Sequence, residues 1–191
     1  MVADSDIWIP IHLGLIISFV LMLLGLVAIH DSFTGGLSRA LARFGLAAAL
    51  IGTAGAVVLL SLDGFAAKHL ADSWASAPPA ARADALASFR AEDAVNFALL
   101  TPLNLVFAGF TFVLFGLANA SSDVYPRWLG SVAVIGGVGS AISGGIQAYM
   151  GEPTRITEAL GIASPTIITL WLLIIGILLL RSARSSHGGR A

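Results

Sequence analysis

The chain has 191 residues, 57% of them hydrophobic and only 11% charged, with a net charge of -1 and no cysteine; its mean hydropathy is +0.91. A soluble domain carries about a quarter charged residues, so this chain lacks the polar surface to stay dispersed in water, and lipid is its natural solvent. Ten scattered Lys and Arg argue against a nucleic-acid partner, which needs them clustered, and the missing cysteines exclude disulfides, thiolate metal sites, iron–sulfur clusters and thiol nucleophiles.

The leader Met1 to Asp6 is acidic where a signal peptide is basic, and the apolar run after it, Ile9 to Ile29, is longer than a signal core; it reads as a retained first span. A second span is predicted at Leu41 to Leu62. The one sizeable polar segment follows, over 63–94, where Phe65, Leu70 and Trp74 among Lys68, His69 and Asp72 predict a short interfacial helix with Trp74 at headgroup depth. Pro78-Pro79 break the chain and suit the first turn of a new helix. That helix is predicted from Ala80 through Arg82 and Phe89 into a third span, Val95 to Leu117, kinked near Pro102. Trp128 to Tyr149 and Ile162 to Leu180 complete the set, Ser164-Pro165 serving as a start signal for the last, and the Ser-, Gly- and Arg-rich 183–191 read as a disordered cytoplasmic tail. The expected fold class is all-α, a polytopic transmembrane helical bundle of five spans, with 1–182 as a single domain.

Basic residues near span ends set orientation. With the N-terminus outside, the inner side holds Arg39, Arg43, Arg127, Arg181, Arg184 and Arg190, and the outer side Lys68, Arg82, Arg90 and Arg155. The excess favours the N-terminus outside and the C-terminus in the cytoplasm.

Spans two and four align without gaps: Arg43-Phe44 with Arg127-Trp128, Ala49-Leu50-Ile51-Gly52 with Ala133-Val134-Ile135-Gly136, and Gly55-Ala56 with Gly139-Ser140. Both run in the same direction, so a duplication here is a parallel repeat of two hairpins, with the fifth helix added. The same offset pairs His12 with Asn96 and Asp63 with Gln147, polar residues at the outer ends of four helices.

Polar groups at membrane depth are costly and face the bundle interior or a wet cavity. On the third helix Asp93, Asn96, Asn104 and Thr111 fall within about a quarter of the circumference. Together with His12, Asp63 and Gln147, and with His69 and Glu92 nearby, they outline an outward-opening cavity for a small polar ligand, an ion or a proton. The bland alternative is that Asn96, Asn104, Thr111 and Gln147 only hydrogen-bond between helices. His12, Asp63 and His69 are also the candidate metal ligands, but they show no characteristic spacing, and a haem between His12 and His69 needs one ligand from a loop. No residue set reads as catalytic: Ser143 before Gly144-Gly145 has only His12 at similar depth, and zinc-protease and phosphate-loop motifs are absent. Small residues recur in Gly45/Ala49, Ala48/Gly52/Ala56, Gly136/Ser140/Gly144 and Gly137/Ala141/Gly145, the chemistry of close helix packing within the bundle, in a homo-oligomer or against a partner span.

The stretch Asp63 to Trp74, the Arg127-Trp128-Leu129-Gly130 opening of span four, and Leu170-Trp171-Leu172-Leu173 with Gly176 in the last span resemble a large group of small multi-span bacterial membrane proteins known only as a domain of unknown function. Many members of that group carry six spans, and the resemblance implies no activity. High Ala, Gly and Arg relative to Lys point to a GC-rich bacterial source, hence an inner-membrane location. Three readings follow: a non-enzymatic membrane component, binding a ligand in the outer cavity or serving as an accessory subunit; a small transporter or channel using Asn96, Asn104 and Thr111; and a metal or haem enzyme at His12 and His69. The first needs no cofactor and no partner beyond the bilayer.

Overall fold

A computed structural model describes residue 2 and residues 5–188, with side chains described through residue 182. Five helices are long and apolar enough to cross a membrane. They are α1 (Trp8–Ser32), α2 (Gly36–Ser76), α3 (Arg82–Ala120), α4 (Arg127–Met150) and α5 (Arg155–Gly188). No strand occurs among the described residues. Each helix packs against the next in the chain, while α1 and α5 touch only lightly. Short antiparallel connections explain the order, since a tight turn sets consecutive helices side by side.

The core draws on all five helices: Leu26 and Phe33, Ala42 and Ala49, Phe112 and Phe115, Leu129, and Trp171. Phe112 meets the Trp171 ring edge-on at 5.9 Å, a favoured aromatic geometry. Glycines let the helices close. On α4, Gly130, Gly137 and Gly144 stand seven residues apart and lie against the backbone of α3: a Cβ on Gly137 would come 2.8 Å from the Val113 nitrogen, and one on Gly130 would come 2.5 Å from the Gly116 carbonyl oxygen. A seven-residue seam is the pattern of a shallow left-handed crossing.

The repeat has a structural counterpart. Gly45, Ala49, Gly52, Thr53, Ala56 and Leu59 are buried on α2, and their aligned partners Leu129, Ala133, Gly136, Gly137, Ser140 and Ser143 are buried on α4. The two helices therefore turn the same face inward.

Three local features differ from expectation. The segment anticipated as a separate interfacial helix runs on from α2 without a break, through a wider π turn at Leu62–Ala66. A helix of 41 residues extends about 60 Å, twice the hydrocarbon thickness, so its end forms an antiparallel hairpin with the start of α3 and projects past α1. Ala67 and Ala71 are buried in that hairpin, and the Arg82 guanidinium sits 5.9 Å from the Trp74 ring centre across its mouth. The disturbance expected at Pro102 takes the form of a π segment, Leu103–Phe110: proline has no N–H for the Ala98 carbonyl, and widening relieves its ring clash. Finally, Ser164-Pro165 does not start the last helix. Pro165 lies inside α5, which opens ten residues earlier with a reciprocal cap: the Thr157 N–H donates to Thr154 Oγ1 at 3.2 Å and the Thr154 N–H to Thr157 Oγ1 at 2.8 Å. The helix also continues to Gly188 where a tail was expected, and 189–191, like residues 1, 3 and 4 of the acidic leader, lie outside the described residues.

At the end of the bundle away from the hairpin, the Tyr125 hydroxyl donates to Ser32 Oγ at 2.9 Å, and its ring meets Phe33 edge-on at 6.0 Å. Burial pushes the Tyr125 phenol above its ordinary range, against the lowering effect of the Ser32 bond, so it stays neutral and tethers the α3–α4 connection to α1.

Candidate functional site

The polar residues gather at the hairpin end, around the π turn of α2. A π turn shifts the backbone bonding by one residue, and here the Asp63 carbonyl receives the Trp8 indole N–H at 3.2 Å. Beside it Gly64 makes room for α1: a Cβ there would lie 2.5 Å from His12 Cβ and 2.7 Å from Cγ. That close approach seats His12, only 5% exposed, with Nε2 3.0 Å from Asp63 Oδ2 and the Trp8 ring tilted against it at 4.7 Å.

The hydrogen bonds fix how many protons the pair holds. His12 Nδ1 lies 2.8 Å from the Trp8 carbonyl oxygen, which can only accept, so Nδ1 carries a hydrogen. A neutral imidazole then presents a bare Nε2, an acceptor, to an ionised carboxylate, also an acceptor. The 3.0 Å contact therefore requires one more proton, on Nε2 or on Oδ2. With that proton in place, on either atom, the pair is neutral as a unit.

The Asp63 side chain, 45% exposed, faces an open cleft of about 340 Å³ between α2 and α3. Asp93 and Asn96 line it with Asp63, and Leu59, Phe97 and Leu100 form apolar walls. Asn96 is 8% exposed; its Nδ2 donates to Glu92 Oε1 at 2.6 Å. Asn96 Oδ1 and Glu92 Oε2 are buried without a partner. Phe97 also walls two adjoining clefts, one toward Thr101 and Gln147 on α4, the other toward Arg90 and Glu152.

Of the sequence candidates, His12, Asp63, Glu92, Asp93 and Asn96 thus come together. Asn104 and Gln147 do not join them: Asn104 Nδ2 donates to Gln147 Oε1 at 2.8 Å, and Asn104 Oδ1 accepts from the Ser140 hydroxyl at 3.3 Å. The repeat aligns His12 with Asn96 and Asp63 with Gln147; Asp63 bonds His12, whereas Gln147 bonds Asn104. Thr111 is spent on its own helix, bonding the Val106 carbonyl at 3.4 Å. His69 stands exposed on the projecting part of α2, apart from His12 and Asp63. No group of three His, Asp or Glu is arranged to hold a metal ion among the described residues. Trp8, Gly64 and Phe97 were not anticipated. The only sequence signal was Gly64 directly after Asp63, a small residue beside a polar one at a span end.

No curated protein and no solved structure matches the chain. One family model does, over residues 9–176, which takes in all of the site but Trp8 and most of the five helices. The chain belongs to the family described as Domain of unknown function (DUF4386).

Proposed function

We propose that the protein is a non-enzymatic integral component of a bacterial inner membrane, N-terminus outside, that binds a small polar ligand in the cleft between α2 and α3. The observation that carries this reading is the buried Asn96 Oδ1 left without a partner in a cleft also lined by Asp63 and Asp93. A buried acceptor without a donor costs about 1–3 kcal/mol, and a ligand donor offsets that cost. Asn104, Gln147 and Ser140 bond one another, which supports a packing role for these three rather than a place in a conduction path. The exposed apolar residues on every helix are what a lipid environment requires, and the bilayer is the surrounding partner.

Two experiments test this. The chain has no cysteine, so single cysteines report topology without background. Ala80→Cys in the hairpin turn is expected to react with a membrane-impermeant maleimide on intact cells, and Ser121→Cys only after permeabilisation; the reverse pattern would invert the proposed orientation. For the ligand, thermal unfolding of the detergent-solubilised protein is followed against small amines, carboxylates, sugars and alcohols. Saturable stabilisation by one class is expected, and Leu100→Trp, which fills the cleft, is expected to remove it. A protein that no class stabilises would count against the cleft as a binding site.

A further inference from the structure

Every unsatisfied polar group the cleft offers is an acceptor. Asn96 Oδ1 lacks a partner, and the carboxylates of Asp63 and Asp93 line the opening with it. Asp63 and Asp93 also lie close enough to Glu92 to act on it electrostatically. Such a set answers a ligand that is positively charged and carries N–H donors. Leu59, Phe97 and Leu100 answer an apolar body on the same ligand. A carboxylate, phosphate or sugar acid meets repulsion here, and a bare metal ion meets too few convergent oxygens among the described residues.

Lys68, one turn beyond the π turn on α2, is held by Asp72 at 2.6 Å. Arg90 lines the adjoining cleft with Asp93 and Glu152, on the far side of Phe97. From α1 the ionisable group facing Asp63 is His12.

We propose that the cleft is a site for a small primary ammonium ion on an apolar body, taken up in exchange for the proton shared by His12 and Asp63. This rests on the ligand-binding reading above and names its ligand. With the proton in place, Asp63 is neutralised by the pair and attracts a second cation weakly. On exchange, the ammonium N–H donates to the Asp63 carboxylate, the shared proton passes to bulk water, and His12 remains a neutral imidazole held by the Trp8 carbonyl. One positive charge enters and one leaves, so the site keeps its net charge and the Asp63 carboxylate is not left unpaired.

The test is calorimetric titration of the full chain in detergent with four probes of similar size: phenethylammonium, benzyltrimethylammonium, 2-phenylethanol and phenylacetate. Repeating it in buffers of different ionisation enthalpy counts protons released. Phenethylammonium is expected to bind best, benzyltrimethylammonium more weakly because it keeps the charge but has no N–H, and phenylacetate not at all. One proton is expected to leave per phenethylammonium bound. Where the pair is still protonated, affinity is expected to rise about tenfold per pH unit, the signature of one-for-one exchange. Asp63→Asn is expected to weaken phenethylammonium about tenfold or more and to abolish proton release. Asp93→Asn is expected to weaken it about threefold, as for an exposed charge, with release intact. His12→Gln is expected to bind without release, and His30→Gln, at the other end of α1, to behave as the unaltered protein. The unaltered protein's pH series stands even where a variant fails to fold. Equal or better binding of the alcohol or the acid overturns the ammonium assignment while leaving the ligand-binding reading intact. Absence of binding by all four overturns the ammonium assignment, with the wider panel above deciding the ligand-binding reading itself, and ammonium binding without proton release overturns the exchange.

Discussion

Gly137→Leu is expected to cost about 3 kcal/mol of stability, the upper end of the overpacking range, and to lower the thermal unfolding midpoint of the solubilised protein accordingly. In lipid, helices gain nothing by hiding apolar surface from one another, so close backbone contact supplies much of their association. A Cβ on Gly137 would lie 2.8 Å from the Val113 nitrogen and 2.9 Å from the Gly109 oxygen, both backbone atoms that no rotamer change can move. Only separation of α3 from α4 relieves the clash, and separation strips the contacts at Gly130 and Gly144 as well. Gly25→Leu provides the comparison, because a Cβ there meets nothing within 4 Å; its midpoint is expected to stay near that of the unaltered protein. Equal losses at the two positions would show that the seam does not hold the bundle.

Gly64→Ala is the second large effect, because it strikes packing and site together. The added methyl carbon would stand 2.5 Å from His12 Cβ, and a shift of α1 that relieves it also pulls Nε2 away from Asp63 and the Trp8 indole from the Asp63 carbonyl. The expected loss is about 1–3 kcal/mol, accompanied by loss of phenethylammonium-linked proton release. Exchanging the small residue between helices tests the cause: His12→Gly combined with Gly64→Ala is expected to recover most of the stability while leaving proton release absent. Simple additivity of the two substitutions would contradict direct contact between these positions.

How far the sequence carried the fold depends on which force shaped each part. The five spans were legible because an apolar run of about 20 residues has few uses other than crossing a membrane. The projecting hairpin was not, because Phe65, Leu70 and Trp74 make the same amphipathic pattern whether their face meets lipid headgroups or another helix; Ala67 and Ala71 meet α3 only because the turn at Pro78-Pro79 brings Arg82 back to Trp74. Ser164-Pro165 misled because proline suits a first turn but is also tolerated within a long apolar helix, whereas Thr154 and Thr157 carried the true start. The glycine seam was half visible. Small residues were read at a spacing of four, while α4 uses Gly130, Gly137 and Gly144 at a spacing of seven.

The site was legible to a similar degree. Scarce polar groups at one end of an apolar bundle must find each other or water, which brought His12, Asp63, Glu92, Asp93 and Asn96 into one expectation. Which of them bond depends on the two π segments, and these leave little trace in residue spacing. The segment at Leu103–Phe110 brings Asn104 to Gln147, and the one at Leu62–Ala66 turns the Asp63 carbonyl to Trp8. Neither partner choice follows from helical periodicity.

Phe97, which lines the cleft beside Asp63 and both adjoining clefts, is the place to measure whether that cleft opens to the outside and holds a ligand. Phe97→Cys is treated on intact cells with a membrane-impermeant thiol reagent, with and without phenethylammonium. Reaction from outside, slowed by phenethylammonium in a saturable way, is the expected result. A cysteine that reacts only after permeabilisation, or reacts at the same rate whatever the probe concentration, would contradict it.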